Sequence, residues 1–198
     1  MKELEQRILS EGKVIRNGEI IKVDSFIDHQ VDLQLMEKIA QDMLNHLESS
    51  GILKKINKIV TIETSGIPLA TMVAHKLSLP MVFARKKIPV TLIEPLYSRK
   101  IVSPTKLDEV EIVISSKYLS EKDSVYIVDD FLATGVTSLA IMDLIRDAGC
   151  KVVGIGAIIE NAFLGGRDII KEKYPEADIY ACVRIKKMTT EGHIEFHE

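Results

Sequence analysis

Apolar positions along this chain alternate between a helical period and short continuous runs, and the alternation maps the elements. Leu4, Ile8 and Leu9 recur at helical spacing over residues 2–11, and Gly12 ends the run. Val14-Ile15 and Ile20–Val23 flank Arg16-Asn17-Gly18-Glu19, which predicts a small hairpin on an Asn-Gly turn. DSFIDHQ then reads as a loop, with Asp32 as the N-cap of a helix from Leu33 to about Leu47. Leu35, Met36, Ile39, Ala40, Met43, Leu44 and Leu47 fall on one face of that helix, and Gly51 ends it. Residues 58–63 and 81–84 are strand-like runs separated by a turn at 64–68 and a helix over 69–78, a βαβ unit that implies a parallel sheet. Val90–Glu94 and Glu109–Ser115 read as two antiparallel strands with a long polar, basic loop between them. Val125–Val128 has the continuous apolar character of a strand buried on both faces. An amphipathic helix over 139–149 follows it, then a strand at 152–159 and a loop at 160–167. A short helix at 168–173, a strand at 179–185 and a weak terminal strand at 193–196 complete the chain. The pattern is α/β: a central, mostly parallel sheet of about five strands flanked by helices, in a single domain over 1–198. Ligands bind such sheets at the carboxyl ends of the strands. Segments 64–67, 85–87, 129–138 and 160–163 all lie there.

The segment after Val128 carries the clearest chemistry. Asp129 and Asp130 are adjacent carboxylates, followed by Phe131-Leu132-Ala133 and the hydroxyl-rich turn Thr134-Gly135-Val136-Thr137-Ser138. Gly135 permits a tight turn and a close backbone approach to a ligand. The unpaired N–H groups that open the next helix, with its dipole, form an anion site. Thr134, Thr137 and Ser138 add hydroxyl donors suited to a phosphate monoester. The paired acids suit instead the vicinal hydroxyls of a sugar and the shell of a Mg²⁺ ion. A ribose 5-phosphate offers both features at about that separation. No Walker A loop is present.

Composition narrows the setting. A formal net charge of −3 gives no general attraction to nucleic acid or anionic membrane. The charged, amphipathic N-terminus is unlike a signal peptide, and no apolar run is long enough to span a bilayer, so a cytoplasmic protein is expected. Cys150 and Cys182 lie in strand-like stretches without metal or redox spacing and read as buried thiols. His29, His46, His75, His193 and His197 lack metal-ligand spacing.

The run VYIVDD followed by TGVT resembles the phosphoribosyl pyrophosphate (PRPP) fingerprint of the type I phosphoribosyltransferases. VDSF and HQVD near the N-terminus, VTIE, SGI, VFARK, DDFLA and the stretch 154–168 resemble, in order, the bacterial xanthine-using members. The resemblance implies the type I fold with an N-terminal hood over 1–31 and a β-hairpin flap over 86–108. It implies purine salvage: a purine base and PRPP, with Mg²⁺, give the nucleoside 5′-monophosphate and pyrophosphate, in a homodimer. By resemblance, Asp129 and Asp130 serve the reacting ribose, and Ala133, Thr134, Gly135, Val136, Thr137 and Ser138 hold the 5′-phosphate. Ser65 and Gly66 receive the pyrophosphate with Arg85 and Lys86; Ser98, Arg99 and Lys100 belong to the mobile flap; Ile21, Asp28, Phe131 and Asn161 contact the base. Two departures stand out: the resembling enzymes carry a neutral residue, usually Asn, where this chain has Asp28, and a Lys where it has Asn161. The resemblance implies xanthine as the base if Asp28 points to solvent; if Asp28 faces the base, an ionised carboxylate can only accept hydrogen bonds and favours guanine, hypoxanthine or adenine instead. ATGVT is also nearer the general family pattern than the turn usual in xanthine enzymes. A PRPP-binding regulator without catalysis is the alternative of another class. The segment before the first βαβ strand is short for an added DNA-binding domain, and the chain is not basic. A non-enzymatic sugar-phosphate module is the third reading.

Overall fold

The computed structural model describes residues 1–88, 95–102 and 109–197. Helix α1 (Lys2–Glu11) leads into a hairpin of β1 (Lys13–Ile15) and β2 (Ile20–Lys22), with Val14 opposite Ile21. Asn17 and Gly18 turn the hairpin with φ of 56° and 92°, as the Asn-Gly pair predicts. Residues Asp24–Asp28, expected as a loop, form one wide helical turn instead. Phe26 and Ile27 are buried, and that anchoring closes the turn, with His29 N–H and Gln30 N–H both donating to the Asp24 carbonyl. Asp32 caps α2 (Leu33–Ser49), its Oδ1 accepting from the N–H groups of Gln34 and Leu35, each at 3.1 Å.

The chain then builds β3 (Lys58–Ile62), α3 (Gly66–Leu77) and β4 (Met81–Ala84). A hairpin of β5 (Leu96–Val102) and β6 (Glu109–Ser115) follows, then β7 (Ser124–Leu132) and α4 (Val136–Asp147). β8 (Lys151–Asn161), α5 (Gly166–Lys173), β9 (Asp178–Met188) and β10 (Ile194–Phe196) complete the fold. α3 starts in the segment expected as a turn, because Pro68 is tolerated within the first helical turn, where its missing N–H is not needed. Glu109–Ser115 is a strand as expected, whereas its partner falls within the segment predicted as loop. The predicted partner Val90–Glu94 lies outside the described residues. In β5, Tyr97, Arg99 and Ile101 alternate inward while Ser98, Lys100 and Val102 face solvent. The basic residues conceal that period of two in the sequence.

Among the described residues the main sheet has six strands in the order β10-β9-β8-β7-β3-β4, with only β10 antiparallel to its neighbour. The winding goes outward from β3 to β4, then returns to the other side of β3 and proceeds through β7, β8 and β9. The reversal falls between β3 and β7 and opens a crevice at their carboxyl ends. β7 is covered on both faces, as its unbroken apolar run requires. Tyr126 and Val128 join a core with α1, α2 and α3, and Val125 and Ile127 join another with α4, α5 and the β5–β6 hairpin. His46 stacks on Tyr180 with ring centroids 4.1 Å apart and bonds Asp178 at 3.0 Å, a structural role. Cys150 and Cys182 are buried free thiols. Among the described residues no helix is long and apolar enough to cross a membrane.

Candidate active site

β7 continues past its expected end at Val128, through both acids, to Leu132. Pairing with β8 as far as Glu160 holds the acids on the strand. Asp129 is only 4% exposed, and its Oδ1 accepts from the Asp130 N–H at 3.0 Å. Burial, then the charge of Asp130, pushes the Asp129 carboxyl well above its ordinary range. α3 comes close beneath it because Gly66 has no side chain. A Cβ there would lie 2.4 Å from Thr61 Oγ1 and 2.8 Å from Asp129 Oδ1. The turn after β7 is locked in the same way. Gly135 has φ of 77°, and a Cβ on Gly166, at the start of α5, would sit 2.1 Å from the Ala133 carbonyl oxygen and 2.7 Å from the Gly135 nitrogen.

A cavity of about 710 Å³ opens over these segments at the reversal point of the sheet. It brings together thirteen of the residues singled out in the sequence: Ile21, Asp28, Ser65, Lys86, Asp129, Asp130, Phe131, Ala133, Thr134, Gly135, Thr137, Ser138 and Asn161. Gly66 and Val136 are outside its lining and supply backbone geometry instead. Thr64 and Lys87, within the expected segments 64–67 and 85–87, also line it; sequence reasoning missed Glu63, just before the first of these turns, and Ile101, Val110 and Ile112, contributed by the β5–β6 hairpin. It also missed Arg16 and Glu19 at the tip of the β1–β2 hairpin, where charged turn residues gave no distinctive signal. Glu63 Oε1 accepts from the Lys86 N–H at 2.7 Å and ties the ends of β3 and β4 together.

Four residues expected at the site lie elsewhere in this conformation. Arg85 is outside the lining: its guanidinium is 5.1 Å from the Phe83 ring centroid and 3.9 Å from Glu63, and its backbone bridges Val113. Ser98 and Lys100 point to solvent from the outer face of β5. Arg99 is on the inner face but reaches α4, pairing with Asp143 at 3.5 Å and hydrogen-bonding Asp147. The α4 carboxylates, invisible as partners in sequence, account for that direction. From this strand it is Ile101 that lines the cavity.

Asp28 is exposed and lines the cavity. The surrounding walls, then the charges of Asp130 and Asp24, raise its carboxyl to about 6. Asn161 is 4% exposed and its Oδ1 has no partner among the described residues. Beside it Glu160, 1% exposed, accepts from Arg167 Nε at 2.9 Å, Arg167 Nη2 at 2.5 Å and Arg184 Nε at 2.9 Å. Arg167 also donates to the Ile179 carbonyl at 2.7 Å. Burial alone would raise the Glu160 carboxyl, but hydrogen bonds and charge from Arg167, then Arg184, hold it below its ordinary 4.5. The stabilisation is therefore complete above about pH 4.5 and is lost as pH falls through the lower folded-state value. Glu160→Gln is expected to cost about 2–3 kcal/mol at pH 7, since it leaves two guanidiniums short of a charged partner. Urea unfolding from pH 7 down to pH 3 should show the gap between wild type and variant closing on acidification. A gap independent of pH would contradict that role.

Among the described residues no group of three or more His, Cys, Asp or Glu side chains is placed to hold a metal. The acid pair Asp129–Asp130 is a fitting partial shell, because a divalent cation would offset the burial and the Asp130 charge that raise Asp129. Such a cation needs oxygen ligands from substrate or water as well.

Residues 23–198 match the sequence profile of the phosphoribosyl transferase domain. A xanthine phosphoribosyltransferase from Brevibacillus brevis is 41% identical over 192 residues, covering 97% of this chain and 94% of the relative. One from Acinetobacter baylyi is 43% identical over 196 residues, covering 99% and 98% respectively. The crystal structure of adenine phosphoribosyltransferase from Thermoanaerobacter pseudethanolicus superposes with a TM-score of 0.65 at 26% identity, covering 77% of this chain and 82% of that one. The APRTase from Giardia lamblia, complexed with 9-deazaadenine, gives a TM-score of 0.73 at 23% identity over 88% of this chain and 94% of that one, a likeness of fold. The acid pair, the hydroxyl-rich turn and the sheet reversal that joins them thus sit in a chain matched almost end to end, and the protein belongs to the phosphoribosyltransferase family, with its type I fold.

Proposed function

We propose that this protein transfers the 5-phosphoribosyl group of PRPP to a 6-oxopurine base, the class that includes the xanthine of its relatives' names. The observation that carries the reading is one cavity lined together by Thr134, Gly135, Thr137 and Ser138 of the hydroxyl-rich turn, by the acid pair Asp129–Asp130, and by the apolar side chains of Ile21 and Phe131. The hydroxyls of Thr134, Thr137 and Ser138, with the first N–H groups of α4, receive the 5′-phosphate. Asp129 and Asp130 accept from the ribose hydroxyls. Thr64, Ser65 and Lys86 face the pyrophosphate. Phe131 and Ile21 offer apolar surface to the base, and Asp28 and Asn161 meet its polar edge. Asp129 and Asp130 would help hold a Mg²⁺ ion bound with PRPP, which would supply countercharge for the departing pyrophosphate.

In the reaction a ring nitrogen of the base forms a bond to C1 as the C1–oxygen bond to pyrophosphate breaks, and the nitrogen's proton passes to water. Positive charge grows on the ribose during the step. The acid pair lies against that charge and stabilises it, so catalysis is mostly positioning and electrostatics. Arg85, outside the cavity, would act only toward a second copy of the chain, in keeping with a homodimer. The protein should convert PRPP and a purine, in the presence of Mg²⁺, to the nucleoside 5′-monophosphate, identified by chromatography and mass. PRPP binding without product from xanthine, guanine, hypoxanthine or adenine would overturn this in favour of a regulator.

A further inference from the structure

We propose that guanine is the preferred base, its N1–H and 2-amino group donating to the Asp28 carboxylate and its O6/N7 edge meeting the Asn161 amide. The inference rests on the transfer reaction above and deepens it.

Asp28 and Asn161 line the same cavity as Phe131 and Ile21, which provide the apolar faces for a flat ring. Among the described residues neither the Asp28 carboxylate, which is exposed to the cavity, nor the buried Asn161 Oδ1 receives a hydrogen bond. Asp28 has no hydrogen-bonded partner among the described residues, and its charged neighbours, Asp130 and Asp24, are both acids. Asn161 is buried with Oδ1 unpartnered. A buried amide left empty is costly, so its position at the cavity wall points to a ligand. Guanine O6 and N7 only accept, so the amide meets them with its NH2 group, brought to the Oδ1 position by a flip that exchanges its two ends.

The donor pattern of the base then decides. Guanine carries N1–H and the 2-amino N–H side by side, a pair that one carboxylate receives with both oxygens. Xanthine has a carbonyl at position 2, and its oxygen would face the carboxylate oxygens. Xanthine also loses a proton readily, which places like charges together, and the neutral Asn161 offers no cation in compensation. Hypoxanthine has the N1–H alone. Adenine presents an acceptor at N1. At pH 8 Asp28, with its carboxyl near 6, is ionised and suited to accept.

The experiment measures kcat/KM for guanine, hypoxanthine and xanthine at pH 8 with saturating PRPP and Mg²⁺, in wild type, Asp28→Asn, Asn161→Lys and the double variant. Wild type should favour guanine over xanthine by roughly tenfold or more. Asp28→Asn should reduce that ratio by about tenfold, and the double variant should bring xanthine to parity or beyond. A wild type that uses xanthine as well as or better than guanine overturns the proposal, whatever the variants do. So does a ratio that Asp28→Asn leaves unchanged. Turnover of none of the bases would overturn the transfer reaction itself and this inference with it.

Discussion

Asp130→Asn should lower the rate of nucleotide formation by about 10²–10³-fold and leave the fold intact. The carboxylate is half-buried at the end of β7, lines the cavity and borders the position assigned to the ribose. The amide keeps the shape but removes the negative charge that the developing sugar cation needs. It also offers a donor where the ribose hydroxyls require an acceptor. The backbone N–H of residue 130 still donates to Asp129 Oδ1, so the strand end is preserved. Steady-state kcat, read beside circular dichroism and thermal melting, checks both halves of the expectation. A rate near wild type would remove Asp130 from the reaction.

Gly166→Ala should raise KM for PRPP at least about tenfold and cost about 1–3 kcal/mol of stability, from backbone crowding at a packed contact. Its new methyl group would come 2.1 Å from the Ala133 carbonyl oxygen and 2.7 Å from the Gly135 nitrogen. Both are backbone atoms, so one of the two loops must move, and the loop that gives way is the phosphate turn. Gly165 provides the comparison. It has φ of 73° but open space around its missing Cβ. Gly165→Ala should therefore cost about 1 kcal/mol in backbone strain and leave KM for PRPP unchanged. PRPP saturation curves and urea melts of the two variants separate crowding from strain. Equal KM values would show that the Gly166 contact does not shape the turn.

Much of this arrangement was legible in the sequence because its signals are local. Val125–Val128 announces a strand buried on both faces, Gly135 and its hydroxyl neighbours announce the turn, and the Asp32 cap fixes the start of α2. What escaped depends on partners distant in the chain. β7 extends through Asp129 to Leu132 because β8 pairs with it and α3 packs under it at Gly66. Arg99 looks like a flap cation until α4 places Asp143 and Asp147 opposite it. Glu160 and Arg167 are seven residues apart, but the ion pair at the end of β8, next to Asn161, also needs Arg184 from β9. The wide turn Asp24–Asp28 follows from burial of Phe26 and Ile27 against helices and strands from the rest of the fold. The same turn sets Asp28 at the cavity, so the proposed base contact is where local pattern and tertiary packing meet.

A crystal structure with Mg²⁺ and PRPP bound is the most direct measurement. The 5′-phosphate should lie on residues 134–138, the ribose hydroxyls on Asp129 and Asp130, and the pyrophosphate beside Thr64, Ser65 and Lys86. PRPP bound elsewhere, or in this cavity with its phosphate away from the 134–138 turn, would contradict the assignment of the site.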